Sequence, residues 1–220
     1  MIFLILLFLL IPISSNAYLS VQSPRQKVIE DFSDDLVGAY PKKFRTRPFQ
    51  RSRAAQVYRV RSEGGNQYLS ADDTEEISTQ IFRRFFWEIQ KQPRLQWKWR
   101  PRVLPLNAKE SAPDRNDSAC EVYVTFGSYS GDGLKYVWSS TLPVGTVYEK
   151  KKGHFFIVVK GTGKATGGWR SVDLDVLEDY RKFFGKEPKE NPIGFGILTD
   201  GNATHSPAAC DYDDFTILKD

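Results

Sequence analysis

The segment Arg94-Leu-Gln-Trp-Lys-Trp-Arg100 puts Leu95, Trp97 and Trp99 on one side of an extended chain and Gln96, Lys98 and Arg100 on the other. Successive strand side chains point to opposite faces, so this period of two is that of a strand with one buried side. A sheet with one apolar face has to bury it against a second layer. Aromatic residues are 14% of the chain, with five Trp against one Met, a balance that suits strands better than helices.

Other segments carry the same signature. Val28-Ile-Glu-Asp-Phe32 and Tyr212-Asp-Asp-Phe-Thr-Ile-Leu218 are short apolar-acidic runs near the two ends and are expected to pair. Ala55–Arg61 and Gln67–Ala71 flank Glu63-Gly-Gly-Asn66, a hairpin signal in which Gly supplies positive φ. Ala119–Phe126 and Leu134–Trp138 read as strands, and the continuous apolar run His154–Val159 reads as one buried on both faces. Ile193-Gly-Phe-Gly-Ile-Leu198 reads as a strand whose glycines permit close backbone approach.

Asp173–Phe184 is the clear helix, with acids early, basic residues late and Gly185 just past its end. Asp72–Gln92 supports two readings. Ile77, Ile81, Phe85 and Ile89 form a helical stripe, whereas Phe82, Phe86 and Trp87 favour a strand over Thr79–Glu88. These segments give eight or nine strands with one or two helices in connections and no βαβ rhythm. The expected fold is all-β: a two-sheet antiparallel β-sandwich of jelly-roll type.

Met1–Ile13 is an almost unbroken apolar run, shorter than the roughly 20 residues that span a bilayer. Ser15-Asn16-Ala17 follows as a small-x-small cleavage site, so residues 1–17 are expected to be a signal peptide and residues 18–220 a single domain. No Lys or Arg precedes the apolar core, which keeps an uncleaved anchor as the alternative. The expected location is periplasmic or secreted. Cys120 and Cys210 are then an even pair in an oxidising compartment, open to a disulfide or to two separate buried thiols.

The net charge is +4, and Lys42, Lys43, Arg45, Arg47, Arg51, Arg53, Arg59 and Arg61 follow one another with no acid between them. That run either attracts anions or is a solvated face. Export disfavours nucleic acid and leaves an envelope glycan or an anionic lipid head group as partner, with membrane contact only if the leader is retained.

In order along the chain, Glu30-Asp-Phe32, Leu69-Ser-Ala71, Pro93-Arg-Leu-Gln-Trp-Lys-Trp99 and Val122-Tyr-Val-Thr-Phe126 resemble the blocks of a bacterial exported family, domain-of-unknown-function family 3047. Tyr136-Val-Trp-Ser139, Trp169, Asp179-Tyr180, Phe184-Gly185, Gly194–Asp200 and Asp213-Asp214 complete the series. The resemblance implies an exported β-sandwich, favours strand for Thr79–Glu88 and implies no reaction. Thr199-Asp-Gly-Asn-Ala-Thr204 is one acid poorer than the family's pattern, and Cys120 stands where an Arg is usual.

The candidate ligand-binding residues are Tyr129, Tyr136, Trp138 and Trp169, whose flat rings suit sugar stacking, with Asp200 and Asn202 as polar contacts. Tyr129 and Trp169 stand beside Gly-rich turns and are the better placed of these. Asp200, Asn202 and Thr204, with Asp211, Asp213 and Asp214, offer oxygen donors for Ca²⁺ or form a solvated turn, so the metal is left open. No cofactor is expected. Lys160-Gly-Thr-Gly-Lys164 lacks the length and the hydroxyl of a phosphate loop. No Ser-His-Asp or Cys-His arrangement is evident. The expected function is non-catalytic binding of a glycan or another cell-envelope component, with the basic run favouring an anionic one. The rivals are a carbohydrate-active hydrolase or lyase on the same sandwich, and an envelope assembly factor that binds protein.

Overall fold

A computed structural model of the chain describes residues 26–219; the expected leader over residues 1–17 lies outside them. The chain runs through β1 (Gln26–Glu30), α1 (Arg51–Val57), β2 (Tyr58–Glu63), β3 (Asn66–Asp73), β4 (Ile81–Arg84), β5 (Arg94–Val103) and β6 (Glu121–Phe126). It continues through β7 (Gly133–Ser139), β8 (Val147–Lys151), β9 (Phe155–Thr162), β10 (Arg170–Asp175), α2 (Val176–Phe184), β11 (Pro192–Leu198) and β12 (Ala208–Leu218).

Two six-stranded sheets face each other. The first has the order β10-β5-β12-β3-β2, with β1 also on β12, and the second has the order β4-β11-β6-β7-β9-β8. Connections repeatedly cross from one sheet to the other, as a two-layer sandwich requires. The β-sandwich with two short helices is therefore the observed fold. All neighbours are antiparallel except β7 and β9, which run parallel because the chain passes out to the edge strand β8 and β9 then returns between β8 and β7.

The alternation of β5 is realised in three dimensions: Leu95, Trp97 and Trp99 are buried in the inter-sheet core. Trp97 and Trp99 meet edge to face with ring centres 5.3 Å apart. Phe195 of β11 stacks on Phe215 of β12 at 4.1 Å, joining the two sheets through aromatic contact. Cys120, just before β6, is bonded to Cys210 of β12 and ties the second sheet to the first across a separation of 90 residues. The end strands pair as expected, β1 with β12. The β2–β3 hairpin turns on Gly64 and Gly65, both at positive φ.

Three segments differ in detail from the sequence reading. Ala55–Val57 belong to α1, whose Ala54 and Val57 are buried, so the strand begins at Tyr58. Asp173–Asp175 end β10, and α2 starts only where the Asp175 carboxylate accepts from the Glu178 N–H; Gly185 closes it in the left-handed region. Asp72–Gln92 is not a helix. Asp73 accepts the N–H groups of Ile77 and Ser78, which turns the chain into the short strand β4. In β4, Ile81 enters the inter-sheet core while Phe82 lies on the opposite side, over Gly196. A helical stripe could not serve two faces at once.

Candidate functional site

On β6, Val122, Val124 and Phe126 enter the inter-sheet core, which leaves Glu121, Tyr123 and Thr125 on the outer face of the second sheet. On β7 the corresponding outer residues are Gly133, Lys135, Val137 and Ser139. That outer face is not a solvated one. Val137, Ile157 and Val159 form a separate apolar cluster on it, packed by Leu142, Tyr148 and Phe155. What stays open is a cavity of about 430 Å³.

Phe82, Tyr123, Tyr129 and Phe155 give this cavity four aromatic rings. Phe82 meets Tyr129 edge to face at 4.8 Å, and Tyr123 lies 6.0 Å from Phe155. Two glycines make room for the rings: a Cβ on Gly133 would stand 2.6 Å from the Phe155 ring, and one on Gly196 2.8 Å from the Phe82 ring. The rim is basic, with Arg45 and Arg47. It is pinned to β4 by paired backbone bonds between Arg45 and Phe82, and by Thr46 donating to the Gln80 carbonyl at 2.9 Å. Thr125 is 5% exposed, lines the cavity and has a hydroxyl with no hydrogen-bond partner among the described residues.

Behind Tyr123 lies a sealed charge pair. Glu121 and Lys135 meet at 2.5 Å, and the Tyr123 hydroxyl donates to the other Glu121 oxygen at 2.7 Å. Burial pushes the Glu121 carboxyl up to about 7, against the pull of Lys135 and with a further push from Asp200. Burial and the neighbouring Asp117 raise Asp200 as well.

Of the residues singled out in the sequence, Tyr129 stands at the cavity, 56% exposed. Tyr136 and Trp138 are not ligand-facing: with Leu134 they share the inward side of β7 and are buried in the core. Trp169 lies just before β10 of the other sheet, edge-on to Tyr68 at 5.5 Å, with the Arg100 guanidinium 4.7 Å from its ring centre. Asp200 is buried and accepts the Asn202 N–H at 3.4 Å, while Asn202 is exposed. The six residues therefore do not form one site.

The suggested oxygen donors for Ca²⁺ also disperse. Thr204 bonds Asp117, Asp211 pairs with Arg100 and Arg102, Asp213 accepts from Asn66, and Asp214 pairs with Lys98. Among the described residues no group of three or more His, Cys, Asp or Glu is arranged to hold a metal. In the Lys160–Lys164 segment, Gly161 lies under the Trp138 ring, and the Gly163 carbonyl accepts the Trp138 indole N–H at 3.0 Å.

The sequence reading did not single out Phe82, Tyr123, Thr125, Phe155 or the rim arginines as members of one site. The available signal was β6 itself, where Glu121, Tyr123 and Thr125 alternate with Val122, Val124 and Phe126.

Fold and cavity together define a two-sheet β-sandwich with an aromatic cleft on the outer face of one sheet. The chain belongs to the family described as protein of unknown function (DUF3047), whose profile matches residues 42–216. No curated protein matches it in sequence. Among solved structures it is similar to the family 11 carbohydrate-binding module of the cellulosomal cellulase Lic26A-Cel5E of Clostridium thermocellum. There the TM-score is 0.47 at 9% identity, covering 90% of this chain and 96% of that one. It is also similar to endoglucanase 3 of family GH12 from Trichoderma harzianum, with TM-score 0.45, 11% identity and coverage of 90% and 98%. CBM29_1 of Piromyces equi follows with 0.38, 10%, 90% and 92%. At these scores and identities no site residue and no ligand is carried across.

Proposed function

We infer that this protein is a non-catalytic glycan-binding domain that works outside the cytoplasm and takes its ligand in the cleft on the outer face of the second sheet. The observation that carries this reading is the combination of four rings with the partnerless, buried hydroxyl of Thr125 in one cavity. A sugar ring has apolar C–H faces for the aromatic residues and hydroxyls for Thr125 and Gln80, so it satisfies both. A purely apolar ligand would leave the Thr125 hydroxyl unpaired, at a cost of about 1–3 kcal/mol.

Binding is favoured over catalysis by the state of the carboxylate behind Tyr123. The Glu121 side chain has no exposed surface and is held by Lys135 and Tyr123, so it has no path to a glycosidic oxygen. The disulfide between Cys120 and Cys210 fits an oxidising, envelope or secreted location.

A glycan array probed with residues 18–220 tests the reading, with Tyr129→Ala as the comparison. Tyr129 is exposed, so its truncation leaves the core intact. Binding to one glycan class is expected, weakened at least tenfold by Tyr129→Ala with an unchanged melting temperature. Equal binding by both proteins, or binding by neither, overturns the assignment.

A further inference from the structure

The opposite side of the sandwich carries a second concavity, of about 550 Å³, on the outer face of the first sheet. Tyr58 and Val60 of β2 point into the core, so Arg59 and Arg61 both point outward. Two residues apart on a strand, their Cα atoms are about 7 Å from each other. Across the sheet, Arg59 lies opposite Ser70, Ser70 opposite Asp211, and Asp211 opposite Arg100.

The charges in this groove are unevenly satisfied. Asp211, 1% exposed, accepts from Arg100 Nε and Arg102 Nε, both at 2.8 Å. Arg100 also pairs with Glu63 at 2.7 Å, and Arg102 with Asp72 at 2.6 Å. These two guanidiniums hold the nearby carboxylates. Arg59 and Arg61 make no ion pair among the described residues, and Arg59 has only the Gly38 carbonyl, at 3.5 Å. Four arginines against two aspartates line the groove, and the surplus sits on Arg59 and Arg61. Tyr68 lies opposite Arg61 on β3 and lines the groove, with Trp169 edge-on behind it and the Arg100 guanidinium over both rings, 5.0 and 4.7 Å from their centres.

We propose that this groove is a second binding site, for an anionic saccharide whose acid group docks between Arg59 and Arg61 and whose ring rests beside Tyr68. Guanidinium forks grip carboxylate or phosphate bidentately, and a pair at strand spacing suits one such group. Arg100 and Arg102, both held by Asp211, form the floor of the groove. The site is separate from the aromatic cleft, so each stands or falls alone.

The test is calorimetric titration of residues 18–220 with tetragalacturonate, cellotetraose and phosphatidylglycerol vesicles. Wild type is expected to bind tetragalacturonate more tightly than cellotetraose at this site, with affinity falling as salt rises. The double variant R59Q/R61Q is expected to lose at least tenfold in tetragalacturonate affinity, while R51Q/R53Q keeps it. Circular dichroism of each variant reports that the exposed substitutions leave the fold intact. The proposal is overturned if wild type does not bind tetragalacturonate, or if R59Q/R61Q binds it as well as wild type. Equal losses in R51Q/R53Q would replace the site by diffuse surface charge. Vesicle binding that depends on Arg59 and Arg61 without tetragalacturonate binding would replace it by a lipid surface.

Discussion

The ionisation of Glu121 is linked to folding. Its carboxyl titrates near 7 in the folded protein and near 4.5 when free, so between these values the folded form keeps a proton that the unfolded form has released. Stability therefore falls as pH rises through that window. Asp213, raised to about 6 by burial, adds to the same fall between 3.8 and 6. Denaturant midpoints measured from pH 4.5 to 7.5 should show a slope that Glu121→Gln reduces. At pH 7.5, where the wild-type carboxyl is ionised, the substitution should also cost about 3 kcal/mol, because Lys135, 2% exposed, is left without its carboxylate. An identical slope in both proteins would remove Glu121 from the account. Gly161 gives a second prediction at this scale. A Cβ there would lie 2.2 Å from the Trp138 ring, so Gly161→Ala should lower stability by about 1–3 kcal/mol in a thermal melt.

At the scale of elements, legibility followed the number of faces a segment serves. β5 has one buried side and one polar side, and Leu95, Trp97 and Trp99 announced it by period alone. α2 carried its cap, its charge order and its closing glycine in the sequence, and only its first turn was misplaced. β6 and β7 were legible as strands but not as the floor of a site. Both of their faces are buried, and the outer one is covered by Phe155, Tyr148 and the Arg45–Pro48 segment, which come from elsewhere in the chain. Tyr136 and Trp138 are misleading in the sequence for the same reason: residue type does not say which of two buried sides a side chain enters. Tyr129 was legible because it follows Gly127 in a turn, a position where a ring has no core to join. The basic run was visible as charge, but its division between the cleft rim at Arg45 and Arg47 and the opposite groove at Arg59 and Arg61 depends on α1 carrying the chain around the sandwich edge.

For the whole molecule, the bond between Cys120 and Cys210 constrains the unfolded chain most, because it closes a span of 90 residues between the two sheets. Its removal by Cys120→Ala with Cys210→Ala should lower stability by about 4 kcal/mol, read as a lower denaturant midpoint. A double variant as stable as wild type would show that packing across the inter-sheet core holds the layers together without the bond. β12 has a further consequence for how the molecule is made. It is the last strand in chain order, yet it lies in the middle of the first sheet, with β5 on one side and β3 and β1 on the other. A chain that emerges amino end first thus holds three sets of unpaired strand edges until residues 208–218 arrive. The first sheet therefore cannot close around its own middle before residues 208–218 are available, whatever order its other strands form in.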